Sequence, residues 1–342
     1  MADDTTLDAY LDAWAAGDPT RAAVARTVTA MTAAGRTIAK IVARGALEGA
    51  MAAAVGDNAG GDTQKALDVR CHEITVEALR RAPVALVGSE EADEVQELDP
   101  TAPLAVATDP LDGSSNIETN VSIGTLFGVL PNIGDGTFLQ PGSKQLAAGF
   151  IVYGPATALV LTVGDGVQIF VLDAERDAFL RSHADVRIAE TTKEYAINAS
   201  NHRHWDDAMT AYIGDCLAGE TGPREKNFNM RWVGSLVADV FRILVRGGVY
   251  LYPGDARKGY EQGRLRLVYE CNPIAMVCEQ AGGAATDGRT RILDLIPEKL
   301  HVRAPLIAGS AEEVERIGRY YAEPARKGSS SPLFARRGLF LA

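Results

Sequence analysis

Two short apolar runs, each closed by acidic residues, constrain this chain more than any other feature. Residues 84–87 are apolar and lead into Gly88-Ser89-Glu90-Glu91, and residues 104–108 lead into Asp109-Pro110-Leu111-Asp112. Runs of this length, bounded by turn residues, read as buried strands. If the two strands are parallel neighbours, their C-terminal ends bring four carboxylates to one sheet edge. Open α/β sheets bind ligands at that edge. Oxygen ligands suit Mg²⁺, which keeps part of its water shell. Two such ions side by side can activate a water and stabilise a leaving alkoxide. Pro110 bends the chain so that Asp109 and Asp112 can converge, and the Leu111 carbonyl offers one more oxygen. The turn that follows, Gly113-Ser114-Ser115-Asn116, presents backbone N–H groups that can hold a phosphate. The pattern predicts metal-assisted hydrolysis of a phosphate ester.

Composition narrows the partners. The chain has 342 residues, 46% hydrophobic, with a formal net charge of −11. That length supports a large core, and two domains rather than one. The acidic balance argues against nucleic acid and anionic membrane surfaces. No apolar run approaches the ~20 residues of a membrane span, and residues 1–7 show no secretory pattern. Cys71, Cys216, Cys271 and Cys278 are widely spaced and form no CxxC pair. Reduced thiols and a cytoplasmic location are expected.

Periodicity sketches the rest. Residues 20–55 predict one or two amphipathic helices, interrupted near Gly35 or Gly45, and residues 64–82 predict another helix. Between 121 and 180 the pattern turns to strands at 123–130, 148–153, 158–163 and 167–172, with a hairpin at Gly164-Asp165-Gly166. Further on, 232–246 predicts a helix, 248–252 a strand, and 272–281 a helix closed by Gly282-Gly283. The tail after Pro324 is expected to be flexible. The expected domain division is 1–192, carrying the carboxylates, and 193–342.

Other candidates carry less signal alone. Asp62 and Asp68 bracket a helix start, and taken alone Asp62 reads first as an N-cap. Glu270 follows an apolar run and precedes Asn272-Pro273, another helix start that favours an acid. His202 and His204 lack a third ligand nearby and read as surface histidines.

Taken together, these residues resemble a known family. Gly61-Asp62 with Leu67-Asp68, Ser89-Glu90-Glu91, Asp109 through Asn116, Arg231 through Asp239, Leu251-Tyr252-Pro253 and Tyr269 through Pro273 occur in the order seen in class I fructose-1,6-bisphosphatases. The resemblance spans roughly residues 20–325. It implies an α+β fold, a layered αβαβα arrangement of two αβ domains, assembled as a homotetramer. It implies hydrolysis of the 1-phosphate of fructose 1,6-bisphosphate, with two or more Mg²⁺ per subunit, for which Mn²⁺ could substitute. By the family pattern Glu90, Asp109, the Leu111 carbonyl, Asp112 and Glu270 ligate the metal. Glu91 helps to activate the attacking water, supported by Asp68 and Asp62. The 1-phosphate rests on Asp112, Gly113, Ser114 and Ser115. Asn198, Tyr252 and Arg264 hold the 6-phosphate, and Arg231 reaches the 6-phosphate of a neighbouring subunit.

The departures cluster at the distal-phosphate end. Arg264 stands where the family usually has Lys, Trp232 where it has Tyr, and Asn201 where a second Tyr is common. The loop before Arg264 is about two residues longer, so Lys258 could take part. Sedoheptulose 1,7-bisphosphate is thereby admitted as a second substrate. The alternatives are an inositol-monophosphatase-like enzyme, which lacks the Arg231 and Tyr269–Pro273 segments, and a catalytically silent sugar-phosphate sensor. A Calvin-cycle role and a gluconeogenic role require the same chemistry.

Overall fold

Helix-forming segments gather first along the chain. The computed structural model describes residues 4–48, 53–57 and 63–323; Asp62 and the tail after Pro324 lie outside them. Helix α1 spans Leu7–Ala15 and α2 spans Pro19–Arg44. Asp18 caps α2, its carboxylate accepting from Thr20 and Arg21 N–H at 2.8 and 3.0 Å, and Pro19 opens the first turn. Of the two expected break points, α2 passes through Gly35 and stops at Gly45, whose φ is +52°. Gly35 serves a different purpose: a Cβ there would stand 2.2 Å from Ile151 Cδ1. The helix therefore lies closer to the sheet than any side chain permits. A ribbon of β1 (Ala54–Asp57) and β2 (Thr63–Lys65) leads into α3, Ala66–Leu79.

The large sheet follows. Its strands are β3 (Val84–Ser89), β4 (Gln96–Glu97), β5 (Leu104–Asp112), β6 (Ile123–Pro131), β7 (Ala147–Tyr153), β8 (Thr157–Thr162), β9 (Gln168–Asp173) and β10 (Ala178–His183). Their order is β10-β9-β8-β7-β6-β5-β3-β4. The two acid-ended runs, β3 and β5, are parallel neighbours, with Ser89 opposite Thr108. The expected hairpin joins β8 to β9, with Gly164 and Gly166 at positive φ. Both faces of the sheet are buried, which explains the near-continuous apolar runs. Along β7, Ile151 and Tyr153 enter the core beneath α1–α3, while Phe150 and Val152 enter the core on the opposite face.

Strands β11 (Glu194–Ile197), β12 (Asn229–Met230), β13 (Val249–Tyr252), β15 (Ala284–Thr286) and β17 (Leu306–Gly309) form a second sheet, in the order β12-β11-β13-β17-β15. The remaining strands, β14 (Leu265–Arg266) and β16 (Arg303–Ala304), pair apart. Helices α5 (Leu236–Arg246) and α6 (Asn272–Gln280) fill the space between the sheets, sharing one core with Phe150 on one side and Tyr250 on the other. Helices α4 (Asp207–Leu217) and α7 (Ala311–Ala322) cover the far face of the second sheet, where Tyr212 and Ile317 meet Leu251 and Ile307. The result is the expected α+β architecture in five layers, αβαβα.

Local differences have local causes. The helix expected from residue 232 starts only at Leu236, because Gly234 adopts φ +82° and Ser235 caps the helix by accepting from Ala238 N–H. Within α7, buried Glu313 receives hydrogen bonds from Arg224 and from the Tyr212 hydroxyl. All four cysteines are free and buried. Among the described residues, no helix is long and apolar enough to cross a membrane.

Candidate active site

A bulge in β5 builds the centre of the site. Asp109 is opposite Leu126 and Asp112 is opposite Gly124, so β5 carries one residue more than β6 over this stretch. Side chains alternate faces along a regular strand, which would send residues three apart to opposite sides. One extra residue restores them to the same side. Pro110 sits in the bulge, where its missing N–H costs no ladder bond. Its carbonyl accepts from Thr125 Oγ1 at 2.8 Å, and the Leu111 N–H donates to Asp109 Oδ1 at 2.9 Å.

Glu270 arrives from the middle layer. It lies in a π-turn, Leu267–Cys271, that feeds directly into α6. Carboxylate oxygens of Asp109, Asp112 and Glu270 all lie within 4.8 Å of one another, and all three residues are buried. Burial pushes the Asp109 carboxyl well above the usual carboxylate range, and Glu90, Asp112 and Glu270 push it further. Glu270 is raised in the same way, by burial first and then by Glu90 and Asp112. Asp112 is raised by burial to about 6, against the lowering effect of the Val237 N–H at the start of α5. The donor set is all oxygen, buried and mutually repulsive. It fits a hard divalent cation.

Three further acids follow. The loop after β3 begins with Glu90, whose N–H donates to the Thr108 carbonyl at 3.1 Å. The Glu91 carboxylate accepts from Gln64 Nε2, and its N–H meets Ser89 Oγ. Asp68, buried in the first turn of α3, accepts from Lys65 N–H at 2.7 Å. Burial raises its carboxyl to about 7, and Glu91 adds to the rise.

The turn that follows β5 is held from two sides. Gly113 adopts φ +82° and starts the 3₁₀ turn Ser114–Thr119. Lys65 Nζ donates to the Ser114 carbonyl at 2.7 Å. Asn116 Nδ2 donates to the Gly234 carbonyl at 3.0 Å. Gly234 is fixed in turn by buried Asp239, which accepts the N–H groups of Val233 and Gly234, each at 3.1 Å.

A second, smaller pocket opens at the ends of β11 and β13. These strands run parallel with Ile197 opposite Leu251, which sets Asn198 beside Tyr252. A cavity of about 20 Å³ is lined by Asn198, Asn201, Tyr252, Arg257, Tyr260 and Arg264 among others. Trp232, Tyr250 and Tyr252 form three near-parallel rings, with centroids 5.8–6.2 Å apart. A larger cavity, about 940 Å³, lies elsewhere, between β15 and α7, and contains none of these residues.

Two family models account for nearly all of the described chain. "Fructose-1-6-bisphosphatase, N-terminal domain" matches residues 13–184, and "Fructose-1-6-bisphosphatase, C-terminal domain" matches residues 188–322. A fructose-1,6-bisphosphatase class 1 of Azorhizobium caulinodans is 59% identical over 326 residues, covering 93% of this chain and 99% of the relative. The chain belongs to the class 1 fructose-1,6-bisphosphatase family. It is an enzyme of that type, a phosphoric monoester hydrolase. A class 1 relative from Rhodopseudomonas palustris is 53% identical over 337 residues, 98% of each chain. The crystal structure of Leishmania major fructose-1,6-bisphosphatase in holo form matches with a TM-score of 0.87 at 33% identity, covering 94% of this chain and 99% of that one.

Within this class 1 fructose-1,6-bisphosphatase fold, Asp109, Asp112 and Glu270 share one site, with Leu111 in the bulge between the two aspartates; the charges of Glu90 and Glu91 bear on Asp109, and Glu91 bears in turn on Asp68. Gly113, Ser114 and Ser115 form the adjoining turn. Asn198, Tyr252 and Arg264 share the second pocket. Arg231 does not line that pocket; its side chain is exposed, with Nε 4.0 Å from Glu194. Lys258 is exposed and absent from the lining, where Arg257 stands instead. Asp62 lies outside the described residues. Sequence reasoning missed Gln64, Lys65, Asp239 and Arg257. Lys65 has a weak signal, being placed just before the helix start that Asp68 closes; Arg257 has none, because only the loop path brings it to the pocket.

Proposed function

We propose that this chain hydrolyses the 1-phosphate of fructose 1,6-bisphosphate, releasing fructose 6-phosphate and phosphate, with Mg²⁺ as the cofactor and Mn²⁺ able to replace it. The observation that carries the reading is the buried cluster of Asp109, Asp112 and Glu270 beside the left-handed Gly113 turn. Glu90, Asp109, the Leu111 carbonyl, Asp112 and Glu270 would hold the metal. When bound, the metal supplies charge neutralisation and activation of water.

The chain's own groups do the rest. The Gly113-Ser114-Ser115 amides orient the phosphate for in-line attack. Glu91 receives a proton from the attacking water. Asp68, held near neutrality by burial and by Glu91, lets the pair carry a proton at working pH. Asp62 joins them on the strength of the resemblance alone. Asn198, Tyr252 and Arg264 anchor the 6-phosphate, and Arg231 serves a neighbouring copy in a homotetramer. The carboxylate domain covers 1–192 and the sugar-phosphate domain 193–342. Trp232 and Asn201 loosen the distal end enough to admit sedoheptulose 1,7-bisphosphate.

Phosphate release tests the reading. Mg²⁺-dependent release is measured from fructose 1,6-bisphosphate and sedoheptulose 1,7-bisphosphate, with inositol 1-phosphate as control. Fast release from the first supports the proposal. Release from inositol 1-phosphate alone overturns it. Comparable release from both bisphosphates establishes the second substrate.

A further inference from the structure

We propose that Arg257 is a specificity-determining residue, a second cationic contact for the distal phosphate that Asp255 holds in reserve. The inference deepens the bisphosphatase reading and rests on it. The observations lie in the loop between β13 and β14. Arg257 and Arg264 both line the small pocket beside Asn198 and Tyr252. Both guanidiniums stand over one ring, Tyr260, at 4.5 and 4.8 Å from its centroid. Two cations gathered on one aromatic face a phosphate-sized anion better than either alone.

Arg257 is occupied at present. Its Nε lies 3.0 and 3.1 Å from the two Asp255 carboxylate oxygens, and its Nη2 also bonds Asp255. The Arg257 N–H donates to the same carboxylate at 2.9 Å. This pairing holds the Asp255 carboxyl below its usual range. The small cavity has this paired Arg257 and Asp255 in its wall. A guanidinium fork matches phosphate as well as carboxylate. Arg257 therefore exchanges Asp255 for the distal phosphate, which places two guanidiniums on a dianion. Asp255 keeps the backbone N–H of Arg257 and so stays anchored. No covalent step is involved.

The segment has a built reason to keep its shape during the exchange. Tyr260 holds the loop by its backbone: its carbonyl accepts from Asp255 N–H and from Gly263 N–H, each at 3.0 Å. Rotation of one side chain is then enough, without unfolding the loop.

The test compares Arg257→Gln, Arg257→Lys and Asp255→Asn with the wild-type enzyme, on fructose 1,6-bisphosphate and on fructose 1-phosphate, which lacks the distal phosphate. Arg257→Gln is expected to raise KM for the bisphosphate about tenfold, with kcat within about twofold and fructose 1-phosphate hydrolysis unchanged. Arg257→Lys recovers part of the loss, because it keeps the charge but not the fork. Asp255→Asn lowers KM for the bisphosphate, because it frees Arg257. Equal effects of Arg257→Gln on both substrates overturn the proposal in favour of a structural role, and no effect on either overturns it outright. Failure of the wild-type enzyme to hydrolyse the bisphosphate at all is a different result, which removes the parent reading.

Discussion

The carboxylates of Asp109 and Asp112 meet within 4.8 Å, although on an unbroken strand their spacing would put them on opposite faces of the sheet. The extra residue in β5 opposite Thr125 turns them together. A bulge next to a functional centre re-aims a side chain at the cost of one ladder bond. Here Thr125 recovers part of that cost by donating to the Pro110 carbonyl.

On the proposed mechanism Glu91 takes a proton from the attacking water, so its charge matters more to turnover than to binding. Glu91→Gln is expected to lower kcat by at least ~100-fold, with KM changed by less than about threefold. Steady-state kinetics on the bisphosphate check this. A matching loss in binding would assign Glu91 a structural role.

The acid cluster links stability to pH and to metal. Asp68 and Asp112 have native values near 7 and 6, above the ordinary value of about 4. Between about pH 4 and pH 7 the metal-free native protein binds more protons than the unfolded chain, so stability falls as pH rises through that window. A cation on the cluster favours the ionised carboxylates and opposes the loss. Thermal unfolding should show a larger rise in Tm from millimolar Mg²⁺ at about pH 8 than at about pH 5.5. An equal rise at both values would detach these acids from the metal.

Gly113 is required by its backbone, not by crowding. Its φ of +82° costs a residue with a Cβ about 1 kcal/mol, yet a Cβ would meet only ordinary contacts at 3.5 and 3.7 Å. Gly113→Ala should fold, lose about 1 kcal/mol in urea unfolding, and raise KM for the bisphosphate because the Ser114 and Ser115 amides shift. A variant with unchanged KM would remove the turn from phosphate binding.

Far from the site, Arg224 and Glu313 form an ion pair with side chains 3% and 0% exposed. Arg224→Met leaves the Glu313 charge largely uncompensated, with only Lys226 at 3.6 Å. Loss of about 3 kcal/mol is expected, with kcat preserved at a temperature where the variant stays folded. Chemical denaturation and activity, measured on the same sample, check both halves.

Legibility in the sequence followed the range of the interactions. Strands β3 and β5 to β9 were readable because a sheet buried on both faces demands unbroken apolar runs; the polar β4, Gln96–Glu97, was not. Helices α4 and α7 were not, since α7 interleaves Glu312, Glu313, Arg316 and Arg319 with its apolar residues, and its burial depends on the sheet beneath it. The clustered acids Asp109 and Asp112 were readable because they end one of those runs. Gln64, Lys65 and Asp239 were not, because each acts by a hydrogen bond to a residue that only folding brings near.

By itself the sequence determined the local chemistry: acids at strand ends, a glycine that can turn left-handed, a proline that cannot continue a ladder, and a family pattern that names the rest. These are properties of a few adjacent residues, set by sterics and by side-chain type. Only the tertiary structure decided which acids share a site, because Asp109 and Glu270 are 161 positions apart and meet through the packing of α6 against the large sheet. It likewise decided that Arg257 and not Lys258 joins Arg264, since the path of an irregular loop depends on long-range contacts such as that between Ala256 N–H and the His204 carbonyl, which no local propensity encodes.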